Sequence, residues 1–144
     1  MIIVADASVL VAELLRHRGR VLFTNPRLNV VVAEEQWEET EHEVSRRIAI
    51  IVRQERITPE QASKLFTDLS ALRSTHSIEV VSRDLYEHVE VAARRRIPRD
   101  PKDWPTVALA MVLDAGILTG DNDFLGCGCP TWTVDTLLQE LAGL

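Results

Sequence analysis

Asp100-Pro101-Lys102-Asp103-Trp104-Pro105-Thr106-Val107-Ala108-Leu109-Ala110 opens the stretch that decides the fold, and Thr119-Gly120-Asp121-Asn122-Asp123 closes it. The stretch begins with two carboxylates in a proline-bounded loop. The apolar run from Val107 to Ala115 then reads as a helix, with Gly116 in the position that commonly ends one. Ile117-Leu118-Thr119 reads as a short buried strand that stops at Asp121. One acid therefore falls at a helix start and another at a strand end, with a single helix between them. Outward from there, Met1 to Ala5 is a run rich in Ile and Val with the pattern of a buried parallel strand, and Asp6 ends it. Asp6 also suits the role of N-cap for a helix from Ala7 to Arg16, so capping competes with a site role there.

The remaining segments alternate in the same way. Arg18-Gly19-Arg20 reads as a turn, and Val21 to Thr24 as a short helix or extended piece. Asn29 to Ala33 is a second strand. Glu34 to about Arg56 is one long helix whose core stripe is Trp37, Val44, Ile48 and Ile51. Thr58-Pro59-Glu60-Gln61 opens the next helix as a capping box with proline in its first turn, and Ala62, Leu65, Phe66, Leu69 and Leu72 form its stripe. Ser77 to Val81 is a third strand. Ser82 starts a helix that runs to about Arg95, and Ile97 to Pro101 is a loop. Gly126 to Pro130 is a turn, Thr131 to Thr133 a last strand, and Val134 to Leu141 a closing helix. Strands alternating with helices predict a three-layer α/β/α sandwich, with a short parallel sheet of four or five strands starting near Ile2, Val30, Ile78, Ile117 and Thr131. In such sheets function sits at the carboxyl ends of the strands.

A chain of 144 residues is one domain by size, spanning 1–144. No apolar run approaches the roughly 20 residues of a membrane span. The N-terminus carries no basic leader, so a cytoplasmic location is expected. Cys127 and Cys129 flank a single glycine, too tight for an ordinary disulfide and without partners for a zinc site. They read as small residues in a turn. The net charge of −6 is opposite to that of a typical nucleic-acid binder. The charge is unevenly spread, however. Arg94, Arg95, Arg96, Arg99 and Lys102 precede the key stretch, Arg46, Arg47, Arg53 and Arg56 form a second basic group, and acids concentrate between Glu34 and Glu43.

Three or four carboxylates with no His, Cys or Lys among them suit a hard cation, Mg²⁺ or Mn²⁺. Held close, they repel one another and raise each other's pKa, a cost that a cation offsets. A cation so held can polarise a phosphoryl oxygen and help form hydroxide. The reaction class this points to is metal-assisted phosphodiester hydrolysis. Glu39 and Glu43 lie four residues apart on one side of the long helix, and either could reach such a site.

Val4-Ala5-Asp6-Ala7-Ser8, the helix from Asp103 to Ala110, and Leu118-Thr119-Gly120-Asp121-Asn122-Asp123-Phe124 together resemble the PIN-domain ribonucleases, the family that includes VapC-type toxins of toxin–antitoxin pairs. The resemblance covers essentially the whole chain in element order. It implies a metal-dependent endoribonuclease, with Asp6, Asp103 and Asp121 as metal-binding aspartates and Ser8 supporting the first. It also implies a catalytic glutamate on the long helix, for which Glu39 is favoured and Glu43 kept, with Asp123 as an additional acid. Asp100 is then a loop or supporting residue. The partners implied are RNA, a cognate antitoxin and a second copy of the chain in a homodimer, for which Trp104, Trp132 and the helix at Ala62 to Leu72 would supply apolar surface. A PIN-like binding module with a non-catalytic metal site is the alternative. A phosphatase on another doubly wound fold would need a second acid two residues after Asp6, where Ser8 stands.

Overall fold

The computed structural model describes residues 1–143 of the chain. Five strands, β1 (Ile2–Ala5), β2 (Asn29–Ala33), β3 (Ile78–Val81), β4 (Gly116–Leu118) and β5 (Thr131–Trp132), form one sheet in the order β3-β2-β1-β4-β5. Every pairing is parallel, as the alternation of strands and helices predicts. The helices are α1 (Ala7–Leu14), α2 (His17–Phe23), α3 (Glu34–Arg53), α4 (Pro59–Ser74), α5 (Glu90–Arg96), α6 (Trp104–Leu113) and α7 (Val134–Gly143). No described helix is long and apolar enough to cross a membrane.

Alternating strand residues divide the interior into two cores, because successive side chains on a strand point to opposite faces. Ile3, Ala5, Val30, Val32 and Leu118 pack with Leu10 and Leu14 of α1, Val44 and Ile48 of α3, Leu72 of α4 and Leu137 of α7. Val4, Val31, Ala33 and Ile117 pack on the other side with Ala93 of α5 and Val107, Ala108 and Leu109 of α6. Helix α6 is buried over all seven residues from Trp104 to Ala110, which is why it is apolar around its whole circumference. The chain runs from β1 through β2 to β3 on one side and then returns to place β4 on the other side of β1. That reversal makes the carboxyl ends of β1 and β4 the topological switch point of the sheet.

Several local expectations are corrected. Arg18-Gly19-Arg20 is not a turn but the middle of α2. Gly19 is there because a Cβ would lie 2.1 Å from the Glu13 carbonyl oxygen, so the glycine permits a close helix–helix approach. Gly116 does not end α6. The helix stops at Leu113, Asp114 takes the left-handed conformation at φ 50°, and Gly116 is the first residue of β4, where a Cβ would meet the Trp132 indole Nε1 at 2.8 Å. The segment after Ser82 is two short 3₁₀ turns, Arg83–Leu85 and Glu87–Val89, before α5. The buried stripe of α3 is Gln36, Thr40, Val44 and Ile48; Trp37 is partly buried against it. Trp104 is 4% exposed, within the second core, and supplies no surface for a second copy. Cys127 and Cys129 are free.

Candidate metal centre

Asp6 stands where β1 hands over to α1, and it is 3% exposed. Its carboxylate caps the helix: Oδ1 accepts the Val9 amide at 2.8 Å, and the Ser8 hydroxyl donates to both oxygens at 3.0 Å. The Thr119 hydroxyl donates to Oδ2 at 2.6 Å from the end of β4. Burial raises the Asp6 pKa above the ordinary carboxylate value, opposed by the bonds from Thr119, Val9 and Ser8 and reinforced by the charge of Asp121. The capping and site readings of Asp6 are therefore not exclusive, since one carboxylate serves α1 and faces a neighbouring acid.

Thr119 links that carboxylate to the next. Its Oγ1 accepts the Asp121 amide at 2.9 Å while its proton goes to Asp6. Asp121 in turn accepts the Asp123 amide on Oδ1 at 2.9 Å, capping the 3₁₀ turn Asn122–Phe124. Asp123 thus contributes its backbone to the orientation of Asp121. From sequence Thr119 reads only as the end of a strand. The available signal was a hydroxyl residue at a buried strand end just before Gly-Asp. Gln36 is a second residue whose role only the packing shows. It is buried, and its Oε1 accepts the Ala7 amide at 3.2 Å, tying the start of α1 to α3.

Asp103 ends the 3₁₀ turn Pro101–Asp103 and precedes α6. Its position depends on Trp104, whose ring carries the guanidinium groups of Arg83 and Arg94 at 5.2 and 5.5 Å. Trp104 also packs against Tyr86, with ring centroids 5.9 Å apart, and the Tyr86 hydroxyl donates to Glu35. The Asp103 carboxyl is pushed up from 3.8 to about 7, first by desolvation and then by the charges of Asp100, Asp6, Asp121 and Glu39. The fold thus brings Asp103 within the field of the other two aspartates. Glu39 acts on the same group. Asp100 is the strongest carboxylate neighbour of Asp103, with its carbonyl accepting the Asp103 amide at 3.1 Å.

Glu39 and Glu43 both line a cleft of about 420 Å³ between α1 and α3, with Ala7, Ser8, Val11, His42 and Arg47. They differ in their partners. Glu43 accepts bonds from both Arg46 and Arg47, which hold its carboxyl down at about 2. Glu39 is the one of the two whose charge bears on Asp103. A second cleft, of about 630 Å³, lies between α1 and α7 and is lined by Ser8, Glu13, Thr119, Asp121, Asn122 and Thr133 among others. The two clefts meet at Ser8, beside Asp6.

The donor set is carboxylate oxygen throughout, the type preferred by a hard divalent cation, and the charges that lift Asp103 are those a cation would balance. In donor type and charge the residues fit such an ion. Among the described residues, however, no three His, Cys, Asp or Glu side chains stand in an arrangement that could hold one as they lie.

Comparison with known proteins agrees with this geometry. No curated protein is detectably similar in sequence. The crystal structure of PAE2754 from Pyrobaculum aerophilum matches over 100% of both chains, with a TM-score of 0.64 and 22% identity, a likeness of fold. The PIN domain model matches residues 4–142. With nearly its whole length inside that match, and with acids gathered at the switch point of a five-stranded parallel sheet, the chain belongs to the PIN-domain family.

Proposed function

We propose that the protein is a Mg²⁺- or Mn²⁺-dependent endoribonuclease, and that it is the toxin of a toxin–antitoxin pair. PIN domains are generally nucleases and typically depend on a divalent metal. The observation that carries the reading is the gathering of the acids: Thr119 donates to Asp6 and accepts the Asp121 amide, and Asp103 lies within the field of Asp6, Asp121 and Glu39. Four acids from four separate parts of the chain share one small region at the end of the sheet where catalysis is expected.

Asp6, Asp103 and Asp121 would hold the cation. Bound there, it would supply Lewis-acid polarisation of a phosphoryl oxygen and a lowered pKa for water. The chain's own residues do the rest. Ser8, Thr119 and the Val9 amide fix Asp6, and the Asp123 amide fixes Asp121. Glu39, which lines the same cleft as Ser8, would orient a water or accept its proton. The Asp103 carboxyl, pushed up to about 7, would carry a proton until a cation displaces it.

The absence of a closed ligand triad among the described residues favours a second reading, a PIN-like module that binds RNA or protein around a non-catalytic site. A cleavage assay on total RNA with Mg²⁺, Mn²⁺ or EDTA separates the two. Cleavage that needs metal and is lost in Asp121→Asn supports the nuclease. Metal binding without cleavage supports the module. For the toxin role, the expected partner is a small protein encoded beside this one that inhibits the cleavage. A homodimer is also expected, with α4 as the exposed apolar element, where Phe66 is 41% exposed.

A further inference from the structure

The chain carries a net charge of −6, yet a nuclease must hold a polyanion, and the two clefts that meet at Ser8 are unequal for that task. In the α1–α7 cleft the charged lining residues are the acids Glu13 and Asp121. The nearby Arg18 is spent on buried Glu13, at 3.1 and 3.3 Å. The α1–α3 cleft has His42 and Arg47 in its lining. Arg46 and Arg47 share a single carboxylate, Glu43, and with Glu39 also in the lining the two arginines and two glutamates balance, so this rim is neutral where the other cleft is acidic. Both guanidinium groups are also open to solvent, with side chains 55% and 49% exposed.

The helix geometry brings these guanidinium groups toward the acid cluster. Glu39 and Arg47 are eight residues apart, about 12 Å along the axis of α3. Long side chains on a helix lean toward its N-terminus, and the bond from Arg47 Nε to Glu43 one turn back, at 3.1 Å, shows that lean. The Arg47 guanidinium therefore stands about one turn from the level of Glu39. Arginine also offers a planar set of donors that matches phosphate oxygens.

Resting on the nuclease reading, we propose that Arg47, with Arg46 beside it, binds an RNA phosphate next to the one that is cut, so that the strand crosses Ser8 with its backbone anchored on the α3 side. Each phosphate neutralised on a single strand adds about 0.7 to the dependence of log affinity on log salt.

The test is binding of a short single-stranded RNA of mixed sequence, in EDTA to prevent cleavage, over a series of salt concentrations, with thermal melts as a folding control. For Arg47→Ala the salt slope should fall by about 0.7, so that its disadvantage against wild type shrinks about 2.6-fold between 50 and 200 mM salt. Arg47→Lys should restore the slope. Lys64→Ala, which removes the same charge from α4, where Lys64 pairs with Asp68, should leave it unchanged. Equal slopes in wild type and Arg47→Ala, with metal-dependent cleavage intact in both, overturn the Arg47 contact and leave the nuclease standing. Equal losses in Arg47→Ala and Lys64→Ala reduce the effect to net charge and also overturn the contact. A wild type that neither binds nor cuts RNA overturns both readings.

Discussion

Replacing Asp103 with Asn should stabilise the metal-free protein at neutral pH, and the structure sets the size of the effect. The Asp103 carboxyl rises from 3.8 to about 7 through burial and the acids around it. A raised acid binds its proton more tightly in the folded state than in the unfolded one. Its contribution to stability is therefore complete below pH 3.8, declines as pH rises, and is gone above about 7. At about 1.4 kcal/mol per pH unit the full difference would be ~4 kcal/mol. Asp103 is only half-buried, and solvent screening reduces this to roughly 1–2 kcal/mol. Asp103→Asn removes the charge and keeps the shape. In EDTA at pH 8 the variant should melt above wild type by roughly 3–8 °C for a domain of this size, and the gap should close near pH 4. Excess Mn²⁺ should raise the wild-type midpoint through binding to the folded state and raise that of the variant less. A variant that melts below wild type at pH 8 in EDTA, or one that gains as much from Mn²⁺, would refute the reasoning.

Other changes test the surrounding structure. Asp121→Asn should abolish metal-dependent RNA cleavage with the fold intact, because Asn caps the 3₁₀ turn about as well as Asp; retained cleavage would remove Asp121 from the site. Thr119→Val takes away the bond to Asp6 and the acceptor of the Asp121 amide. It should cost about 1–3 kcal/mol by denaturant titration and lower cleavage further than the stability loss explains. Gly19→Ala would ordinarily favour a helix by nearly ~1 kcal/mol, but its Cβ would lie 2.1 Å from the Glu13 carbonyl. It should instead destabilise by about 1–3 kcal/mol, and a higher melting temperature would contradict the close packing of α1 and α2. Glu39→Gln should reduce cleavage while Glu43→Gln leaves the cutting step intact, since Glu43 is engaged with Arg46 and Arg47.

Much of this protein is written in local sequence. The Ile/Val runs at residues 2–5 and 29–33, the capping box at Thr58, and the apolar segment after Trp104 each announce their element through period, caps and composition, which are properties of neighbouring residues. Three acids, Asp6, Asp103 and Asp121, are legible as candidates because each lies at an element boundary. What local pattern does not carry is distance between elements. Gly19 and Gly116 read as a turn and a helix stop, yet each is a point where another part of the chain, Glu13 or Trp132, comes too close for a Cβ. Thr119 reads as a strand residue until β4 lies beside β1 and its hydroxyl meets Asp6. Glu39 and Glu43 share one side of the helix, and Arg46 and Arg47 at i+3 and i+4 already engage Glu43 locally; only the packing of α3 brings Glu39 within the field of Asp103. Sequence alone thus determined which residues form strands, helices and candidate acids, because those depend on neighbours along the chain. The tertiary structure decided which acids share a field, because electrostatic coupling between separate elements depends on separation in space and on burial, and both arise only when the sheet closes.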